Sequence, residues 1–182
     1  MSAERASQTT ASGEACEIAV PGDTVRLRPA TPEDAPFQLT LFCAHNGDML
    51  RLGGLPEAMI ENLLAMQYRS RANSYRNQFP QARWSIVEAA DGPIGELIEH
   101  DEADAIYVVD IALLPDQQRR GIGSALMRAL MATGAARGGV RALVLISNQA
   151  SRRMFRGLGF AETCDDGAAN VELRWRPPAV LA

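Results

Sequence analysis

The segment Gln118-Arg119-Arg120-Gly121-Ile122-Gly123-Ser124 governs how the rest of the chain is read. Before it, an apolar stretch closes at Leu114-Pro115; after it, Ile122, Leu126, Leu130 and Gly134 recur on one helical face until Gly138-Gly139 stops the pattern. Val140 to Ile146 is then a short apolar run of strand length. Strand, glycine-bearing loop, amphipathic helix and strand make a parallel crossover unit, right-handed in nearly all proteins. The start of such a helix presents unpaired backbone N–H groups and the positive end of the helix dipole, and glycines let a phosphate approach that backbone closely. The segment lacks the lysine of a nucleoside-triphosphate loop. It also lacks the third glycine and the acidic residue about twenty positions on that suit a dinucleotide fold. A pyrophosphate without nicotinamide matches it better, whereas a lone Gly-x-Gly in another context would only start a helix.

Working outward, Gln149 to Arg156 reads as a further helix, with strands near Phe160 to Cys164 and Val171 to Trp175. On the other side, Trp84 and Ile86, then Ile94, Leu97 and Ile98, then Ile106-Tyr107-Val108-Val109 form short segments separated by turns, an antiparallel meander. Between Pro56 and Phe79, Met59, Leu63, Leu64 and Met66 fall at helical spacing. His45-Asn46-Gly47-Asp48 and Gly53-Gly54-Leu55-Pro56 read as turns. An earlier helix, capped by Thr31, is expected to end near Ala44, and a strand covers Val25 to Arg28. Residues 1–23 read as a mobile arm, 24–176 as one domain and 177–182 as a tail.

The chain has 182 residues, 47% hydrophobic and 22% charged, ordinary values that exclude collagen-like, coiled-coil and fully disordered classes. The net charge of −4 and pI near 5.2 give no positive field for nucleic acid. All 18 basic residues are arginine, which removes Schiff-base and lysine general-base chemistry. Cys16, Cys43 and Cys164 are too few and too dispersed for a disulfide framework or a zinc site, so no metal is expected. Neither a secretory leader nor a membrane-length apolar run is present, so the expected location is cytoplasmic.

A second motif follows the buried strand: Asn148-Gln149-Ala150-Ser151-Arg152-Arg153-Met154-Phe155-Arg156-Gly157-Leu158-Gly159-Phe160. With it the sequence resembles the GNAT superfamily of acyl-CoA-dependent N-acyltransferases. That family's pyrophosphate loop follows the pattern Gln/Arg-x-x-Gly-x-Gly/Ala, matched by Gln118, Gly121 and Gly123, and its next strand leads to an asparagine and a Gly-Phe pair, matched by Asn148 and Gly159-Phe160. More weakly, the resemblance extends over residues 24–176. It implies a GNAT-type α/β fold, a mixed sheet of about six to seven strands with an antiparallel N-terminal meander and a parallel pair at the acyl-CoA cleft, flanked by about four helices. By resemblance, Ile111, Ala112 and Leu113 offer backbone groups to the pantetheine of acetyl-CoA or another acyl-CoA. Gln118, Arg119, Arg120, Gly121, Ile122, Gly123 and Ser124 hold its pyrophosphate, Asn148 meets the pantetheine, and Arg119, Arg120 or Arg153 meet the adenosine phosphates. Acyl-CoA enters as a co-substrate, with no cofactor held tightly. Homodimers are frequent in the family, though no residue here specifies one.

The implied reaction is attack of a neutral primary amine, on a small molecule or a protein, upon the thioester through a tetrahedral oxyanion. An alkyl ammonium has a pKa near 10, so a base or a water relay is required. Asp110, an acid inside an apolar strand, is the favoured base, and an aspartate tied structurally to backbone or to an arginine is an equal alternative. Glu96 is the second candidate base, and Tyr107 or His100 could orient water. A backbone N–H of the same strand would stabilise the oxyanion. Where the family commonly places a tyrosine that protonates the leaving thiolate, this chain has Phe155, which has no proton to give. That departure supports an alternative, a module that binds acyl-CoA with little or no catalysis; an adaptor using the fold only as a surface is a third. The acidic turn His100-Asp101-Glu102-Ala103-Asp104, with Asp48, Glu57 and Glu61, would suit a cationic acceptor if it faced the cleft.

Overall fold

The computed structural model describes residues 15–163 and 169–178, so Cys164, most of the expected arm and the end of the expected tail lie outside the described residues. Order begins before Thr24. Cys16–Val20 (β1) pairs antiparallel with Asp23–Pro29 (β2), register Val20 opposite Asp23, so the assignment of residues 16–23 to a mobile arm is corrected. Pro21-Gly22 supplies the turn, and Ile18, opposite Val25, is buried with it and Leu27. The alternation in Glu17-Ile18-Ala19-Val20 is only four residues long, which is why composition alone hid it.

Two helices follow, Ala35–Leu52 (α1) and Glu57–Gln78 (α2). Asp34 ties the start of α1 to β2: both its oxygens lie 2.7 Å from the Arg28 guanidinium, and Oδ2 accepts from the Thr31 N–H at 2.8 Å. That contact holds the Asp34 carboxyl at about 2, below its ordinary range. The first helix does not end near Ala44 but continues through His45, Asn46, Gly47 and Asp48. Asn46 Nδ2 donates to the Phe42 carbonyl one turn back, and Leu50 packs on the core beneath α2. Tertiary packing here overrides a glycine cost of about 1 kcal/mol.

The remaining order is Arg83–Ala89 (β3), Gly92–Asp101 (β4), Ile106–Leu113 (β5), Ile122–Gly134 (α3), Val140–Leu145 (β6), Gln149–Gly157 (α4), Ala161–Thr163 (β7) and Asn170–Trp175 (β8). They form one eight-stranded sheet ordered β1-β2-β3-β4-β5-β6-β8-β7, in which only β5 and β6 run parallel. The mixed α/β architecture is as expected, with β1 the strand beyond the expected number. One face of the sheet carries the larger core, including Leu97, Leu113, Leu126, Phe155 and Leu173. The α1–α2 hairpin builds a second core from Phe42, Ile60, Leu64, Tyr68 and Ala72.

In α2 the buried stripe is Ile60, Leu64, Tyr68 and Ala72, one residue every turn, while Met59 and Met66 point outward. We expect Leu64→Ala to cost about 2–5 kcal/mol and Met66→Ala to stay within about 0.5 kcal/mol, read as urea-unfolding midpoints. Equal losses at the two positions would contradict this helix orientation.

Candidate active site

The chemistry-bearing region starts from an interrupted strand pair. β5 and β6 are paired only at Ile106 with Val140, Tyr107 with Arg141 and Val108 with Ala142. At the same place the register of β5 against β4 jumps, from Val108 opposite Glu99 to Asp110 opposite Ile98, so Val109 is one extra residue. A bulge bends its strand and sharpens its twist, which carries Val109–Leu113 away from β6 while β4 still holds it. The result is a V-shaped opening. The backbone of Ile111, Ala112 and Leu113 lies along its β5 side without a β6 partner.

At the open end the chain turns through a 3-10 turn, Pro115–Gln117, into Gln118–Gly121. Gln118 Nε2 donates to the Leu113 carbonyl at 3.1 Å, fastening the loop to the strand end. His45 Nε2 donates to the same carbonyl at 2.8 Å, so α1 fixes this end from the other side. Arg119 has φ 59° and Gly121 φ 82°, two left-handed residues that turn the chain sharply into α3 at Ile122. The first N–H groups of α3, from Ile122, Gly123 and Ser124, therefore come directly after the loop from the unpaired end of β5 as helix-start donors. A Cβ at Gly123 would sit 3.2 Å from Met154 Sδ of α4, a tight contact to which the flexible methionine side chain would have to yield. Arg119 and Arg153 are exposed, and Arg120 donates to Gln117 Oε1 at 2.5 Å.

Asn148 stands at the start of α4, where its Oδ1 accepts from the Ser151 N–H at 3.1 Å; the side chain is the helix cap. Phe155 is 1% exposed and sits edge-on to Phe160 with ring centroids 4.9 Å apart. Its ring belongs to the packing between α4 and the sheet.

On the α1–α2 side of the sheet, Asp110 and Glu96 occupy one face of adjacent strands, a diagonal pair set by Ile98 opposite Asp110 and Ala112 opposite Glu96. Arg71 of α2 joins them, with Nη1 2.7 Å from Asp110 Oδ2 and Nη2 3.6 Å from Glu96 Oε1. Gln38 Nε2 donates to Glu96 Oε2 at 2.5 Å, and the Tyr68 hydroxyl donates to Gln38 Oε1 at 3.3 Å. The Asp110 side chain is one-fifth exposed whereas that of Glu96 is fully buried. Burial pushes the Glu96 carboxyl up to about 7, reinforced by the charge of Asp110. Burial also raises Asp110, and Arg71 pulls it back.

Tyr107 lies at the closed end of the V, buried, with the Arg141 guanidinium 4.2 Å above its ring and Phe79 5.3 Å away; Phe79 also stacks on His100. Sequence reasoning thus singled out Asp110 and Glu96, which the structure brings together, but missed Arg71, Gln38, Tyr68 and His45. Only the packing of α1 and α2 against the sheet brings these four to the site. The acidic turn does not present free charges: Asp101 pairs with Arg83 and Arg137, Glu102 with Arg141 and Asp104 with Arg174. Arg51 takes both Asp48 and Glu57. Among the described residues no group of three or more His, Cys, Asp or Glu side chains could hold a metal ion, and no helix is long and apolar enough to cross a membrane.

Glu96 also makes stability depend on pH. A folded value of about 7 against an ordinary 4.5 means that the folded state binds this proton more tightly. Its contribution is therefore complete below about pH 4.5 and lost as pH rises through about 7. Glu96→Gln should leave stability nearly unchanged at pH 4.5 and raise it at pH 8 by about 3 kcal/mol relative to the parent, measured by urea unfolding. A difference between the two proteins that is constant with pH would contradict the raised value.

The model of the acetyltransferase (GNAT) family matches residues 59–160, more than half of the chain. No curated protein sequence matches it. Among solved structures, an acetyltransferase from Thermus thermophilus is 20% identical, covers 89% of this chain and 100% of its own, and superposes with TM-score 0.62. The PaiA N-acetyltransferase from Thermoplasma acidophilum, in complex with coenzyme A, is 18% identical over 84% of this chain and 99% of its own, TM-score 0.61. RimJ from Mycobacterium smegmatis, in complex with CoA-disulfide, is 19% identical over 92% of this chain and 89% of its own, TM-score 0.60. At these identities the structures speak for the fold. With the strand–loop–helix motif, the parted parallel strands and the family match in agreement, this chain belongs to the acetyltransferase (GNAT) family.

Proposed function

We propose that the protein transfers an acetyl group from acetyl-CoA to a primary amine of a small molecule or a protein. The observation that carries this is the parting of β5 and β6 beyond Val108, with the start of α3 following directly on the loop from that end of β5. A pantetheine arm is a narrow chain with amide groups, and the stretch Ile111 to Leu113, which has no β6 partner, offers it strand-like hydrogen bonds ahead of the Leu113 carbonyl that Gln118 and His45 occupy. The pyrophosphate fits the N-terminal donors of α3, with Gln118 to Ser124 shaping the loop and Arg119, Arg120 and Arg153 supplying positive charge around it. Asn148 contributes by starting α4 beside the arm, since its side chain is engaged in the cap. Coenzyme A in the PaiA structure and CoA-disulfide in the RimJ structure support the same ligand class here.

In the reaction, the ammonium of the acceptor loses a proton to the Asp110 carboxylate, directly or through one water. The freed amine attacks the thioester carbon, a backbone N–H of the unpaired β5 stretch stabilises the oxyanion, and collapse expels the CoA thiolate. Two protons leave the nitrogen overall; one goes to the thiolate and one to solvent. A thiol pKa of about 8.5 makes the leaving group tolerable without a dedicated acid, which fits a phenyl ring packed in the core at position 155. Glu96 is too buried to touch an acceptor, and Tyr107 lines the closed end of the V.

Purified protein should release thiol from acetyl-CoA only when a suitable amine is present, tested with pools of polyamines, amino acids, aminoglycosides and lysine-bearing peptides. Asp110→Asn should lower kcat about 100-fold or more while acetyl-CoA binding holds. Binding of coenzyme A without release in any pool would favour the non-catalytic module, and an unchanged rate in Asp110→Asn would remove that residue as the base.

A further inference from the structure

One guanidinium touches both acids of the site. Arg71 contacts Asp110 at 2.7 Å and approaches Glu96 at 3.6 Å, and it is flanked by the rings of Phe42, 4.9 Å from its central carbon, and Tyr75, 5.6 Å away. Its Nε is buried without a hydrogen-bond partner. A guanidinium held between two aromatic rings and two carboxylates is fixed in place, and its planar fork is what lets one cation reach two strands.

The charges do not balance. The two carboxylates share one contacting guanidinium and one of them is fully buried, so this pair holds a proton to higher pH than two exposed acids would. Geometry decides which acid holds it. Asp110 has the contact pair and an exposed edge, whereas Glu96 has the longer contact and full burial, which outweighs the one hydrogen bond it accepts from Gln38.

We propose that Arg71 is a positioning residue for the transfer reaction: it keeps Asp110 as the anion turned toward the cleft and leaves the proton on Glu96. This inference rests on the acyl-transfer reading given above. Asp110 faces Arg71 and Tyr75 from α2, His45 from α1 and Glu96 from β4, with Tyr107 of its own strand reaching Tyr75. Glu96 faces Arg71, Arg76 and Tyr68 from α2, Gln38 from α1 and Asp110 from β5. Among the described residues, Arg71 alone stands within ion-pair distance of Asp110, so the division between the two acids falls to it. The proton taken from the acceptor's ammonium moves to Asp110 and leaves by its exposed edge, while Glu96, which holds its own proton until pH rises through about 7, takes no part in the transfer.

The test is a carboxyl-carbon NMR titration of Asp110 and Glu96 in the parent, Arg71→Lys and Arg71→Met proteins, alongside the pH dependence of amine-dependent thiol release. In the parent, Asp110 should ionise at lower pH than Glu96. In Arg71→Met the Asp110 midpoint should rise by about one unit or more, and the acid limb of kcat should move with it while KM for acetyl-CoA stays within about twofold. Arg71→Lys, which retains the charge without the fork, should recover part of the shift, and it decides the matter if the methionine variant fails to fold. Glu96 ionising before Asp110 in the parent, or an Asp110 midpoint unmoved in the variants, would overturn the proposal. Absence of thiol release in the parent would instead remove the acyl-transfer reading, leaving the titration to report on the grip of Arg71 by itself.

Discussion

Everything distinctive in this molecule depends on where the hydrogen bonding between β5 and β6 stops. The two strands pair for three residues and separate at the bulge that Val109 inserts opposite β4. Without that extra residue β5 would remain in line with its neighbour, and the backbone of Ile111 to Leu113 would be consumed by the sheet. With it, one side of β5 is retained by β4 and the other has no strand partner beyond Val108. Burying a strand edge without partners is costly, so the fold leaves this edge at an opening that a ligand can fill. The loop to α3, fastened to the Leu113 carbonyl by Gln118 and by His45, places the helix start at the mouth of the same opening.

The chain is rich in acids, yet few are left unpaired near the site. Arginines on neighbouring strands and helices neutralise the turn after β4, and Arg28 closes the joint between β2 and α1. Against that background Asp110 and Glu96 stand out, two carboxyls held by one guanidinium on the face that the α1–α2 hairpin covers. Their position differs from that of surface pairs in a decisive way. Surface pairs gain or lose little when rearranged, whereas a buried excess of negative charge has to be settled by a proton.

The crossover unit was the most legible part of the chain, because Gly121, Gly123 and the stripe of Ile122, Leu126 and Leu130 express local geometry directly. Asp110 was legible for a related reason, as a charge where the strand pattern asks for an apolar side chain. Features set by distant packing were not. Gly47 within a run of turn formers read as a break, yet α1 continues because Phe42 and Leu50 are seated on the second core. Cys16–Val20 was too short to register apart from its pairing with β2. Arg71 carried no signal of its own among many arginines; only its position across from Asp110 and Glu96 gives it a role.

Whether the parted strands are the acyl-CoA site is tested most directly by amide hydrogen exchange with and without coenzyme A. Saturating ligand should slow exchange along Val109–Leu113 and Gly121–Ser124 and leave the β1–β2 hairpin unchanged. Coenzyme A binding that protects neither segment would contradict that placement.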